Sequence, residues 1–469
     1  MISFLASLVL LIVGYFTYGK FVDRTFGIDD KNATPAETLQ DGVDYVPMSW
    51  PKIFLIQFLN IAGLGPIFGA ISGALWGPAA FLWIVFGCIF AGAVHDYFTG
   101  VLSMRNDGAS VSELVGKYLG EGPRKIMIVF SVVLLILVGV VFLTGPADLL
   151  KTLTGIDRRI LIGIIIIYYI AATVLPVDKI IGKIYPLFGA TLLIMAVGIG
   201  VGIVIGGYNI PEVTLVNFHP KGTPIFPYLF ITIACGAISG FHATQSPIMA
   251  RCVKRESEAR KVFYGAMIAE GVIALIWAAA AMSFFGGTEG LQDAIANGGP
   301  AGVVNTISNT LMGKVGAILA ILGVVACPIS SGDTAFRSAR LTIADSMGMK
   351  QDKIANRFKI AIPLFVVGIG LTMIDFTVIW RYFSWANQTL AMIMLWASAA
   401  YLVQSGKNYW LCAIPAVFMS AVTSAYILQA PEGLRLNAMV SNIIGVVFAL
   451  ILFIIFMRYT KKKDKEIKA

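Results

Sequence analysis

Charge is scarce in this chain of 469 residues: Asp, Glu, Lys and Arg make up 13% of it, against 58% apolar residues. A soluble domain carries about a quarter charged residues, so an ordinary soluble enzyme is excluded; the mean hydropathy of +0.82 agrees. Histidine occurs three times, at His95, His219 and His242, with no ligand spacing. No metal cluster is therefore expected. The five cysteines (Cys88, Cys235, Cys252, Cys327, Cys412) lie in or beside apolar stretches and form no CxxC pair. They read as buried, reduced, structural thiols. Neither a nucleophile–base pair nor a cofactor motif appears, so no enzyme and no cofactor are expected, and no stretch remains for a separate soluble domain.

Long apolar runs fill the space that charge vacates. Thirteen stretches are long enough, or nearly so, to cross a hydrocarbon core about 30 Å thick. They are 2–18, 53–75, 81–101, 126–143, 160–175, 184–205, 225–244, 262–285, 315–329, 360–373, 382–403, 410–427 and 439–456. The first has no basic lead-in and no small-residue cleavage site, and reads as a retained helix rather than a signal peptide. When alternate loops are assigned to one side, 28 of the 35 lysines and arginines share the side of the first loop. That asymmetry places the N-terminus outside and the C-terminus in the cytoplasm. The net charge of +9 then reports topology and contact with anionic lipid, not nucleic-acid binding. The terminal run Lys461-Lys462-Lys463 reads as a stop-transfer signal in contact with that lipid.

Two of the stretches are interrupted where they should lie deepest. One carries Asn60-Ile61-Ala62-Gly63-Leu64-Gly65-Pro66; the other carries Cys235-Gly236-Ala237-Ile238-Ser239-Gly240-Phe241-His242, then Gln245-Ser246-Pro247. A lipid-facing helix cannot leave backbone N–H and C=O groups unpaired, so broken backbone at that depth lines a cavity or is buried in protein. The second stretch starts in the cytoplasm and the seventh outside, so the two run in opposite senses. The expected fold is an all-α polytopic membrane protein with a five-plus-five inverted-repeat core, helices 2–6 (52–206) and helices 7–11 (225–404). Helices 2 and 7 are discontinuous, helix 1 leads, and helices 12 and 13 (409–457) trail as an accessory pair. In such folds the half-helix ends meet a solute at mid-membrane. Glycine and proline also occur in membrane helices merely as packing contacts or kinks.

The polar residues inside the stretches are the site candidates. For substrate binding these are Asn60, Gly63, Gly65, Ser239, Gly240, His242, Gln245 and Asn387, with Gln57, Thr244 and Gln388 beside them. A carboxylate deep in a helix is costly and marks function by default, which singles out Glu270 as a carrier of the coupling cation; interhelical glue is its bland alternative. In the ninth stretch, Ser330, Ser331 and Thr334 follow Pro328 and offer hard oxygens for Na⁺, while Asp333 either shapes a proton site or pairs with Arg337 one turn on. His95 and Asp96, at the end of the third stretch, are candidates for an inner gate, or an inert interfacial pair. Asp375, Arg381 and Trp385 read as interface anchors.

Four blocks together resemble a known family: Gly63-Leu64-Gly65-Pro66-Ile67-Phe68-Gly69-Ala70-Ile71, His95-Asp96-Tyr97, Tyr264–Gly271 and Cys327–Arg340. They look like the carbon starvation protein A family, over nearly the whole chain, in a form shorter than the long bacterial members with extra helices. The resemblance implies a multi-pass transporter of the bacterial inner membrane, grouped with the amino-acid/polyamine/organocation superfamily. It implies uptake of a small organic acid, pyruvate foremost, coupled to H⁺ or Na⁺, or uptake of peptides or amino acids, induced when carbon is scarce. Partners are then the small solute, the coupling ion and membrane lipid. An intramembrane hydrolase using His95-Asp96 or His242 predicts altered product; a channel predicts no uphill accumulation.

Overall fold

The structure, a computed structural model, describes residues 1–42, 44–174, 178–349, 351 and 353–468. The side chains of 174, 178–186, 345 and 464–468 lie outside that description, so Lys179, Lys183, Lys350, Lys465 and Lys468 of the charge asymmetry lie outside it too. So does the start of the sixth apolar stretch.

The thirteen expected stretches all meet helices. Among the described residues, ten helices are long and apolar enough to cross a membrane: α1 (Ile2–Phe26), α3 (Ala79–Met104), α4 (Glu121–Thr154), α6 (Leu187–Ile205), α8 (Glu256–Phe284), α9 (Thr288–Ala344), α10 (Ile354–Leu371), α11 (Phe376–Gln404), α12 (Trp410–Gln429) and α13 (Ala438–Lys463). The second stretch forms α2 as a bent pair, Trp50–Ile61 and Gly65–Trp76, which meet at 53°. The fifth forms α5 (Arg158–Val174), whose 17 described residues make it marginally short. The seventh, α7, is two short pieces, Tyr228–Thr232 and Phe241–Ala250. Neither half spans alone, which is what an interruption at mid-helix does.

Burial sorts these helices into an interior and a rim. Of the most apolar window of each, 83% is buried in α3 and α8 and 89% in α11, against 28% in α1 and α10 and 22% in α13. The rim helices turn their leucines and isoleucines outward, as lipid contact requires. The interior helices carry the polar candidates, because ionisable side chains in a membrane segment face the bundle, not the lipid. Helix α8 packs on both halves of α2, on α3 and on α1. It does so through small residues: Ala278, Ala279, Ala280 and Ala281 are all fully buried, and side chains that short let neighbouring backbones approach.

Wide π-type turns precede two of the polar clusters, at Trp83–Gly92 before His95 and at Ile321–Ala326 before Ser330. Such a turn rotates everything after it by part of a turn relative to a regular helix. The face bearing the polar groups is thereby set locally.

Candidate functional site

The break in α2 follows from its composition. Pro66 has no N–H to give to the turn before it, and residues 62–64 leave the helix. In α7 the break is longer, with residues 233–240 non-helical. Gly236 turns the chain there with φ +91°, a conformation that costs other residues a Cβ clash. The two breaks pack on each other. A Cβ on Gly65 would lie 2.3 Å from Cys235 Cβ and 2.4 Å from its Sγ. Only glycine fits where the main chain of α2 lies against the side chain of α7.

Loose polar groups at the α7 break are taken up by α11. Asn387 Oδ1 accepts from the Phe241 N–H at 2.6 Å and from Ser239 Oγ at 3.1 Å, while its own carbonyl accepts from the Gly240 N–H at 3.1 Å. Asn387, a substrate-binding candidate, therefore caps the second half of α7. Gln388 likewise donates to the Phe230 carbonyl at 3.0 Å. Gln57 of α2 donates to Ser246 Oγ of α7 at 3.2 Å and ties the two broken helices together. Gln245 donates to its neighbour Thr244 at 2.9 Å, and Asn60 is 5% exposed at the end of the first half of α2. Gly63 packs against Phe142 of α4.

Beside the breaks, three helices bring together four ionisable side chains, each 0% exposed. Asp96 of α3 lies between two imidazoles, with Oδ1 2.8 Å from His95 Nδ1 and Oδ2 2.8 Å from His242 Nδ1. On its other side, His242 Nε2 is 3.3 Å from Glu270 Oε2 of α8. Neither Glu270 oxygen makes a well-directed hydrogen bond among the described residues. An ionised Asp96 only accepts, so it holds both rings with Nδ1–H toward itself and turns the His242 Nε2 toward Glu270. The proton on that axis then sits either on the ring or on the carboxyl. The sequence reading put His95 and Asp96 at the inner end of α3; that helix continues to Met104, and the pair lies in the protein interior.

Cys235 Sγ, a His242 ring nitrogen and a Glu270 oxygen lie within 4.8 Å of one another. The thiol is engaged with Ser239 Oγ at 3.4 Å and receives Asn387 Nδ2 at 3.5 Å. The histidine spacing in the sequence gave no sign of this trio, whose three ligand atoms are close enough together to hold a metal ion.

The hydroxyl row of α9 is differently occupied. Ser330 Oγ donates to the Cys327 carbonyl at 2.7 Å and Thr334 Oγ1 to the Ser330 carbonyl at 3.2 Å. These are bonds back to their own helix. Cys327 donates to the Leu59 carbonyl of α2 at 3.8 Å, so the row lies against the α2 break. Ser331 and Asp333 are buried, and the described Arg337 guanidinium reaches the Ala172 carbonyl of α5 at 3.2 Å.

Above the breaks opens a vestibule of about 1,230 Å³. Its floor is aromatic: Phe68 of α2 meets Phe376 and Trp380 of α11 at ring separations of 6.1 and 6.2 Å. At the opposite end of α3, Arg105 grips Glu256 at the start of α8 through two hydrogen bonds of 2.8 Å and also donates to the Gly27 carbonyl. Residues read as interface anchors make specific contacts: Arg381 pairs with Glu432 at 3.0 Å, and Trp385 donates to the Thr423 carbonyl. The Arg105–Glu256 pair gave no sign in the sequence, because nothing local distinguishes these two from other basic and acidic residues near helix ends.

The family model described as carbon starvation protein CstA matches residues 1–154, 146–288 and 286–425. An uncharacterized membrane protein of Haemophilus influenzae is 48% identical over 64% of this chain and 95% of its own length. A protein named peptide transporter CstA from Campylobacter jejuni is 24% identical over 94% of this chain and 82% of its own. One named pyruvate/proton symporter BtsT from Escherichia coli is 28% identical over 65% of this chain, which spans about half (51%) of that relative. Among solved structures, MhsT in complex with L-phenylalanine matches with a TM-score of 0.55 at 15% identity, covering 87% of this chain and 98% of that one. Mhp1 in a closed conformation matches at 0.53 and 16% identity, over 93% and 96%. At such identities the likeness is one of fold, and it is the fold of an inverted-repeat transporter core.

Proposed function

Because this chain belongs to the carbon starvation protein CstA family, whose members and structural neighbours are membrane transporters rather than enzymes, we propose that it is a secondary symporter. In this reading it sits in the bacterial inner membrane, N-terminus outside, and imports a small organic acid, pyruvate foremost, coupled to protons. The observation that carries it is the packing of two helix breaks on each other beside a fully buried carboxylate–imidazole relay. The inverted repeats are 52–206 and 225–404, and 409–457 is accessory.

Charge bookkeeping in the relay supports proton coupling. Two ionised carboxylates and two neutral rings would leave two uncompensated charges in a dry interior, which is prohibitive. A single proton taken up or released by the Glu270–His242 pair changes the net charge of the relay by one without moving the backbone. Occupancy of that proton can therefore bias which face of the protein is open, which is all that coupling requires. The vestibule above the breaks and the Arg105–Glu256 clamp at the opposite end suit an outward-facing state. A solute passing the aromatic floor would meet Gly65, Ser239, Gly240 and Gln245, and rocking of the helix bundles would expose it to the other side.

Peptide or amino-acid uptake is the rival, favoured by the name of the Campylobacter relative. A peptide brings an ammonium group that needs a buried carboxylate. Asp96 and Glu270 both face imidazoles already, so an organic acid fits better. Na⁺ held at Ser330, Ser331, Asp333 and Thr334 is the rival coupling ion, since a hydroxyl that donates to its own helix keeps its lone pairs for a cation; imposed ion gradients decide between the two.

Uptake into sealed proteoliposomes tests both points. An imposed proton gradient should drive pyruvate accumulation and a sodium gradient alone should not, with dipeptides failing to compete. Accumulation driven by sodium alone, or competition by dipeptides at similar concentration, refutes the corresponding half of the proposal.

A further inference from the structure

The vestibule's lining carries three cations, Lys151 at the end of α4, Lys221 in the loop before α7 and Arg381 of α11, against two carboxylates, Asp148 and Asp375. Most of these charges are already engaged. Asp148 pairs with Arg158 at 2.6 Å. Asp375 accepts from the Thr377 N–H at 2.9 Å and caps its own helix. Arg381 is held by Glu432, which also accepts from Tyr426. Lys151 and Lys221 are different: both are exposed, and neither ammonium makes a hydrogen bond or ion pair among the described residues. Burial and the neighbouring Lys221 hold the His219 imidazole below its usual range, so at neutral pH His219 adds no positive charge to that of the lysines.

Their location is unusual for this chain. Only seven of the 35 lysines and arginines fall on the side assigned to the outside, and three of those seven line this one cavity. Loops that merely face water have no reason to gather their few cations around an opening. The cavity also leads somewhere: Phe68 and Thr232 at its base are each three residues from the mutual contact of Gly65 and Cys235.

We propose that the vestibule is an outer collecting site for carboxylates, in which Lys151 and Lys221 raise the concentration of a monocarboxylate anion above the aromatic floor. This deepens, and rests on, the reading of the protein as an importer of organic acids. A concave wall with an excess of one charge sign, bounded by low-dielectric protein, focuses its field on the opening and speeds arrival of the opposite charge. The lysines act on capture, not on the conformational step. Zwitterions, with no net charge, gain nothing from them.

A reporter thiol reads that field without reference to what is carried. All five native cysteines are buried, so Thr152→Cys, in the vestibule wall, supplies the reactive thiol in an otherwise intact protein. An anionic methanethiosulfonate reagent should label it about three- to tenfold faster, relative to a cationic one, than in the chain that also carries Lys151→Gln and Lys221→Gln. High salt should shrink the difference, since at 1 M the screening length falls to about 3 Å. In parallel, the double lysine variant should raise KM for pyruvate about as much as it lowers the labelling ratio, with Vmax unchanged. A labelling ratio indifferent to both lysines overturns the proposal whatever the transport result. A lysine-dependent ratio in a protein that carries no carboxylate supports the anion preference and refutes the importer reading instead.

Discussion

The relay around His242 and the hydroxyl row on α9 both lie against a helix break and both were marked in the sequence as places for a coupling cation, yet their polar atoms are in opposite conditions. In the row, Ser330 and Thr334 give their hydroxyl protons to carbonyls one turn back and keep only lone pairs, while Ser331 Oγ makes no well-directed bond among the described residues. In the relay, Glu270 has no well-directed bond and the ring nitrogen facing it is 3.3 Å away. A hydroxyl row of that kind offers neutral oxygens to a metal cation and no acid for a proton, whereas a buried, under-bonded carboxylate holds free energy that one proton relieves. The comparison teaches that side-chain type marks a candidate and occupancy of its bonding capacity ranks it.

The sharpest way to break this ranking is Glu270→Gln. It should lower proton-driven accumulation at least about tenfold, the equivalent of one pKa unit of coupling, while solute exchange across the membrane without a gradient persists. Full gradient-driven uptake by this variant would remove Glu270 from the coupling. Next is Asp96→Asn. It strips the carboxylate that fixes both rings, and losing one partner of a buried pair costs about 3–5 kcal/mol. A clear drop in thermal midpoint of the detergent-solubilised protein should therefore accompany the coupling loss; an unchanged midpoint would mean that the pair is not formed. Gly65→Ala probes the contact of the breaks, not the relay. Its methyl would meet Cys235 Cβ at 2.3 Å, so about 1–3 kcal/mol of strain is expected, which Cys235→Gly on the same chain should largely relieve. Smallest is Ser330→Ala, which should change KM and Vmax by less than about twofold. A large loss there, restored by sodium, would reverse the ranking.

Much of the architecture was legible in the sequence because membrane burial writes itself locally. Each spanning helix needs its own run of apolar residues, so the thirteen stretches could be read one at a time. The breaks were legible for the same reason: Gly63-Leu64-Gly65-Pro66 and Cys235-Gly236 interrupt such runs. What remained illegible is partnership. His95 and Asp96 looked like an interfacial pair because they stand near the end of the third apolar stretch, and their polar neighbours on α7 and α8 had no signal in the sequence. Asn387 was marked as a solute ligand, and that its side chain also caps α7 had no signal in the sequence. Glu256 and Arg105, 151 residues apart, had no common signal at all.

By itself, then, the sequence determined the class of molecule, the helices and the two places where helices had to fail, since hydropathy and the chemistry of glycine and proline act within a few residues of where they stand. Only the tertiary structure decided that Asp96, His242 and Glu270 meet in one buried line of close contacts and that Ser330 and Thr334 bond back to their own helix. Asp96 and His242 are 146 residues apart, and a hydrogen bond over 2.8 Å depends on how three helices pack, which no local pattern encodes.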